Sequence, residues 1–280
     1  MNGSMNLNKQ ESLDATPKSK GALIFAVNNS TIDYLALARI NARLIEHFLG
    51  LPTTIVTDRP SVSNTRTFRW HDQTQTIEWH NTNRFDALEY SPYDQTLLLD
   101  ADYLILSNTY SSVIAQDVDF LCHRHAVDIT NTNTFSSDQY LSKNSDFPMY
   151  WATAVWFSKN SKPVFDLWRD VHKHYDFYSA LYGFEHRPYR NDRAMSVALH
   201  TLNGMTQHIP TIPWSIPSLG TTDRVLRVDP DTTVVFDYAT HWRDQPIRDT
   251  NFVKNTDVHV MNKSAITPQL IQELEAVIND

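Results

Sequence analysis

The sequence predicts an α/β protein, a single domain whose mixed, mostly parallel sheet is flanked by helices. Three features lead there. Leu23 to Val27 is a short, continuous apolar run, the pattern of a strand buried on both faces. A helical period follows at Leu37, Ile40, Leu44, Ile45 and Phe48, closed by Gly50. A second buried run, TTIVTD, then ends in Asp58. Strand, helix and strand in close succession form a βαβ unit, which imposes parallel pairing.

Ahead of this unit, residues 1–20 are polar and lack the apolar stretch of a secretion signal, so they are expected to be a disordered tail or expression scar, with the domain covering 21–280. Asn28, Asn29 and Ser30 form a polar turn after the first strand. Residues 61–80 mix polar and aromatic groups without a period. Residues 82–94 read as a helix starting near Asn83 and ending before Pro92. TLLLDADYLIL reads as a buried strand interrupted by acid, and residues 118–130 as a strand pair or a strand with a loop. WATAVWFS is a strand, and KPVFDLWRDVHKHYDFYSAL a helix with Pro163 in its first turn. NDRAMSVALHTLNG is a helix capped by Asn191 and closed by Gly204. The last third reads as loops with short strands, TTVVFDYA and VHVMNK among them, before a C-terminal helix with Pro268 near its start.

Composition excludes several classes. With 41% hydrophobic residues in 280, the chain can bury a sizeable core. A net charge of -8 speaks against a large non-specific footprint on nucleic acid. Cys122 is the single cysteine, which rules out an internal disulfide and a thiolate cluster, and a reducing, cytoplasmic setting is expected. No apolar run is long enough for a membrane span. Only 6 glycines occur, and no Gly-rich phosphate loop is among them.

The chemistry concentrates in LLLDADYLIL. Asp100 and Asp102 stand between Leu99 and Leu104, and strand alternation would put both on one side, with Ala101 opposite or offering its backbone. Two ionised carboxylates that close repel each other unless a cation lies between them. Carboxylate oxygens suit Mg²⁺ or Mn²⁺, an ion commonly shared with a di- or triphosphate. His259, in DVHVMNK, is a candidate third ligand, and its imidazole would favour Mn²⁺.

With these residues in place, the chain resembles glycosyltransferases of the GT-A fold (Rossmann-like), nearest to the glycogenin and bacterial galactosyltransferase group, family 8. The resemblance implies that Asp100, Asp102 and His259 hold Mn²⁺ bridging the diphosphate of a UDP-sugar. In AVNNSTIDY it implies uridine contacts at Val27 and Asn29 and a stacking ring at Tyr34. Arg84, sixteen residues before Asp100, matches a basic residue that pairs with the donor. RNDRAMSVAL resembles a helix start whose aspartate, here Asp192, lies near the transferred sugar. Lys263 corresponds to the lysine that neutralises the leaving diphosphate, with a departure: it stands four residues after His259, where the family has six, followed by Pro-Trp. Another departure is Ala152-Thr153-Ala154, where the family has Asn-Ser-Gly.

The resemblance implies retention of anomeric configuration; an inverting enzyme would need a carboxylate base, for which Asp128, Asp138 and Asp146 are candidates. The acceptor is open between a saccharide or surface glycan and, from the Arg, His and Tyr of residues 168–193, a hydroxymethylated base in phage DNA. A metal-dependent nucleotidyltransferase or nuclease, and a non-enzymatic nucleotide-sugar-binding module, are the rival classes.

Overall fold

The computed structural model describes residues 19–27, 32–57, 66–69, 83–130, 140–142, 146–184, 187–205, 209–243 and 245–279. Of the tail expected at 1–20, residues 1–18 lie outside the described residues, and Lys20 already opens the first strand, one residue before the expected boundary.

The apolar runs become a mixed sheet. Strand β1 (Lys20–Ala26) leads into helix α1 (Tyr34–Leu49) and strand β2 (Thr53–Thr57), with β3 (Arg66–Arg69) beyond it. The Asp33 carboxylate accepts from Ala36 N at 3.0 Å to start α1, and Gly50 ends it at φ 65, donating to Glu46 O. A short helix α2 (Ala87–Tyr90) precedes β4 (Gln95–Leu99), every residue of which is buried. After β5 (Tyr103–Leu104) and α3 (Ser111–Ile114) come β6 (Phe120–His123), β7 (Ala126–Asp128) and β8 (Trp151–Ser158). Helices α4 (Lys162–Lys173), α5 (Tyr175–Leu181) and α6 (Asn191–Leu202) follow, then β9 (Thr211–Ile212). The first sheet runs β3-β2-β1-β4-β8-β6-β9. Its pairs β2/β3, β1/β2, β1/β4 and β6/β9 are parallel, and β8 runs against β4 and β6.

A second sheet carries the site. Its order is β5-β14-β10-β7, with β10 at Ile216–Leu219 and β14 at Val258–Val260. Tyr103, His259, Ser218 and Asp128 lie in one row across it. Helix α1 sits between two cores: Leu37, Ala38 and Ile45 join the one beneath the first sheet, while Ile40 and Leu44 join Val258, Val260 and the C-terminal helix α7 (Pro268–Asn279).

The structure corrects several expectations. The single helix expected over residues 162–181 is two, α4 and α5, parted at His174. LLLDADYLIL is not one strand: β4 stops at Leu99, the chain turns through Asp100–Asp102, and β5 enters the other sheet. Residues 120–128 do not pair with each other, since β6 and β7 belong to different sheets. Arg190, not Asn191, is at the N-cap of α6 and makes no side-chain cap bond, because a guanidinium has only donors and cannot accept from the helix amides. The last third holds a third, antiparallel sheet of β11 (Arg224–Val228), β12 (Thr233–Trp242) and β13 (Gln245–Lys254), far longer than short strands in loops. Its edge β13 is protected: Pro246 has no amide, and Asp249 and Asn251 cap the amides of Thr250 and Phe252 at 2.8 Å.

Candidate functional site

The turn after β4 is built by three backbone bonds. Asp100 N donates to Thr153 O at 2.9 Å, Tyr103 N to Asp100 O at 3.1 Å, and Val260 N to Asp102 O at 2.9 Å. Asn41, fully buried on α1, holds the chain just beyond it, with Nδ2 donating to Tyr103 O and Oδ1 accepting from Ile105 N. Both acids therefore reach one place through a closed turn at the junction of two sheets, where alternation along a strand had been expected to align them. Pairing of Tyr103 with His259 delivers the imidazole to the same point.

Asp100, Asp102 and His259 each offer a ligand atom within 4.8 Å of the others. His259 Nε2 lies 3.7 Å from Asp102 Oδ1, and Nδ1 faces Ser218 Oγ at 3.5 Å, a second contact that orients the ring. Asp102 is 4% exposed at its side chain. Its Oδ2 is buried without a hydrogen bond, and the Lys263 ammonium stands 3.1 Å away as an ion pair. A buried carboxylate oxygen held by an ammonium alone, beside a second carboxylate and an imidazole, belongs to a donor set that suits a divalent cation, so the residues fit Mn²⁺ or Mg²⁺.

Each acid has its own counter-cation. Arg84, 2% exposed, donates from Nη1 to Asp100 Oδ1 at 2.5 Å and from Nη2 to Ala152 O at 2.8 Å. Burial pushes the Asp100 carboxyl above its ordinary value; Arg84 opposes this and the Asp102 charge adds to it. Lys263 is lifted above its usual value: burial works to lower it, but Asp102, Tyr34 and Asp100 together prevail. Burial likewise raises the Tyr34 hydroxyl against the pull of Lys263, whose ammonium is 5.8 Å from the ring centroid.

Across the cavity, Asp192 Oδ1 accepts from Ala152 N at 2.8 Å and Oδ2 from Arg190 Nη2 at 2.8 Å. One residue, Ala152, thus joins both acid groups, its carbonyl taking Arg84 and its amide serving Asp192. The cavity measures about 510 Å³, and Val27, Tyr34, Arg84, Asp100, Ala101, Asp102, Asp192, His259 and Lys263 all line it. Asn29 lies outside the described residues, as does Asp138. Neither Asp128 nor Asp146 lines it, and Asp128 Oδ1 is taken up by Thr130.

Sequence reasoning missed Trp151, Arg190 and Met261, which also line the cavity. The Arg190 guanidinium stands 5.6 Å from the Trp151 ring centroid. The signal for the first two is position: Trp151 opens a strand, and Arg190 precedes the helix start that carries Asp192.

No family model matches the chain, and no curated protein matches it in sequence. Among solved structures it is similar to the galactosyltransferase LgtC in complex with donor and acceptor sugar analogues, at 14% identity and a TM-score of 0.43 over 65% of this chain and 70% of that one. It is similar to the glycosyltransferase GlyE of Streptococcus pneumoniae TIGR4 at 9% identity and TM-score 0.40, over 70% of this chain and 45% of that one. A glycosyltransferase involved in glycosylation of the major capsid of PBCV-1 follows at 9% and 0.36, over 76% and 86%. Similarity of this degree assigns nothing to the site, whose chemistry follows from its own residues.

Proposed function

We propose that this chain is a metal-dependent glycosyltransferase that moves a hexose or pentose from a nucleotide sugar, a UDP-sugar by the family resemblance, to an acceptor hydroxyl with retention of configuration. The observation that carries the reading is the Asp100–Asp102–His259 cluster, set in the same cavity as Lys263 and a third carboxylate, Asp192. Those three ligands would hold Mn²⁺ or Mg²⁺. Bound there, the ion supplies Lewis-acid stabilisation of charge growing on the leaving diphosphate.

The chain's own groups do the rest. Lys263, on a flexible stem and 39% exposed, can deliver a second positive charge to the diphosphate. Tyr34 and Val27 offer an apolar wall for the base, and Ala101 its backbone. Arg84 favours the charged form of Asp100 against its burial and aims the carboxylate. Asp192 has one oxygen on an amide and the other on a guanidinium, which fixes the carboxylate against the cavity wall. It places negative charge where an oxocarbenium-like carbon would form, a role suited to retention.

The acceptor reading favours a saccharide over phage DNA. Arg169 is paired with Asp86 and Glu89, Arg190 with Asp192, and buried Arg193 donates to Pro188 O, so these arginines are engaged within the fold. A phosphate backbone would need them turned outward.

Thermal shift of the protein against a panel of nucleotide sugars, with and without Mn²⁺, tests the reading. Stabilisation should need both, and Asp102→Asn should weaken it at least about tenfold in ligand concentration. A shift that survives EDTA and Asp102→Asn would point to a metal-independent binding module, and nucleotide adducts or cut nucleic acid in product mass spectra to a nucleotidyltransferase or nuclease. Asp192→Asn should lower kcat by about 10²–10³ while donor Kd changes less than about threefold; an unchanged kcat removes Asp192 from the mechanism.

A further inference from the structure

The two counter-cations of the acidic pair differ in freedom. Arg84 is locked, 2% exposed, with one nitrogen on Asp100 and another on the Ala152 carbonyl. Lys263 is 39% exposed and leaves a turn only four residues past His259. Its stem carries the ammonium to Asp102 Oδ2 at 3.1 Å, the buried oxygen that has no hydrogen bond. Two carboxylates, Asp100 and Asp102, face two cations, Arg84 and Lys263, so each acid has a partner of opposite charge. A divalent ion arriving alone would displace the ammonium and leave a surplus of positive charge. A diphosphate arriving with it cancels that surplus and gives the released lysine a new partner.

We propose that Lys263 is the resident counter-ion of Asp102, displaced by the metal and passed to the diphosphate, so that metal and nucleotide bind as a coupled pair. The exchange rests on the metal reading of the site given above. It turns a shortened His-to-Lys spacing into regulation: a lysine closer to the histidine reaches the metal-binding carboxylate itself. Nucleotide and metal must then favour each other's binding by the same factor, since coupling is reciprocal.

The test measures binding without turnover, by manganese EPR for Mn²⁺ and calorimetry for UDP, on the full chain. In the wild type, UDP should tighten Mn²⁺ binding about tenfold or more. Lys263→Gln should bind Mn²⁺ alone about tenfold more tightly than the wild type, with the coupling to UDP reduced by a similar factor. Lys263→Arg, which keeps the charge and the fold, should stay within about threefold of the wild type. Arg190→Gln removes a cavity charge that does not touch Asp102 and should leave Mn²⁺ affinity alone.

If Lys263→Gln binds Mn²⁺ no tighter while the wild type binds it, the exchange is wrong and the metal site stands. If Arg190→Gln tightens Mn²⁺ as much as Lys263→Gln, the effect is bulk charge and the exchange is again wrong. If neither wild type nor variant binds Mn²⁺ with or without UDP, the metal reading falls and the exchange with it.

Discussion

Replacing Arg84 by alanine removes the charge that lets Asp100 stay ionised next to Asp102. Both terminal nitrogens of Arg84 are committed, at 2.5 Å to Asp100 and 2.8 Å to Ala152 O, and the residue is 2% exposed. Deleting one partner of a buried pair costs about 3–5 kcal/mol. Asp100 keeps 20% side-chain exposure and burial already pushes it toward the protonated form, so the low end, about 3 kcal/mol, is expected near neutral pH. For a chain of this size that lowers Tm by about 6–12 °C. Alanine also deletes an apolar stem, so the charge term is isolated by a double-mutant cycle with Asp100→Asn, with a coupling of about 1–3 kcal/mol. Urea unfolding followed by tryptophan fluorescence supplies the four stabilities. The cost of Arg84→Ala should shrink in mild acid, where Asp100 escapes by taking a proton, and Mn²⁺ should restore part of the loss. A coupling below about 0.5 kcal/mol would refute the claim that Arg84 sustains the acidic pair.

Two further outcomes concern the scaffold. His123 is fully buried between Tyr110 Oη at 2.6 Å and Trp214 O at 2.8 Å, and burial lowers its pKa to about 4. Above about pH 6.5 it is neutral folded and unfolded; between there and about pH 4 only the unfolded chain gains the proton, so stability falls by about 3 kcal/mol as pH drops. Equilibrium unfolding across that range should show the slope, and His123→Gln should flatten it; equal slopes would place the titration elsewhere. Gly21→Ala would put a methyl group into the ring of buried Tyr93, whose hydroxyl meets Thr54 at 3.1 Å, and should cost about 1–3 kcal/mol in the same assay. A neutral substitution would mean that the ring moves freely.

Local pattern alone determined much of this protein. The apolar runs at Leu23–Val27 and Trp151–Ser158, the period of α1 and the acids at Asp100 and Asp102 could be read directly, because burial writes itself into residue type at a spacing of two or 3.6. The β13 strand could not: nearly all its residues are exposed, so nothing in it alternates. Only tertiary structure decided that the acids lie on a turn between sheets, that Ala152 ties Arg84 to Asp192, and that Lys263 rests on Asp102. Those contacts join residues far apart in the chain, and their partners are set by strand register and by where a turn redirects the backbone. The charges were present in the sequence; which of them meet depends on long-range pairing that no local period encodes.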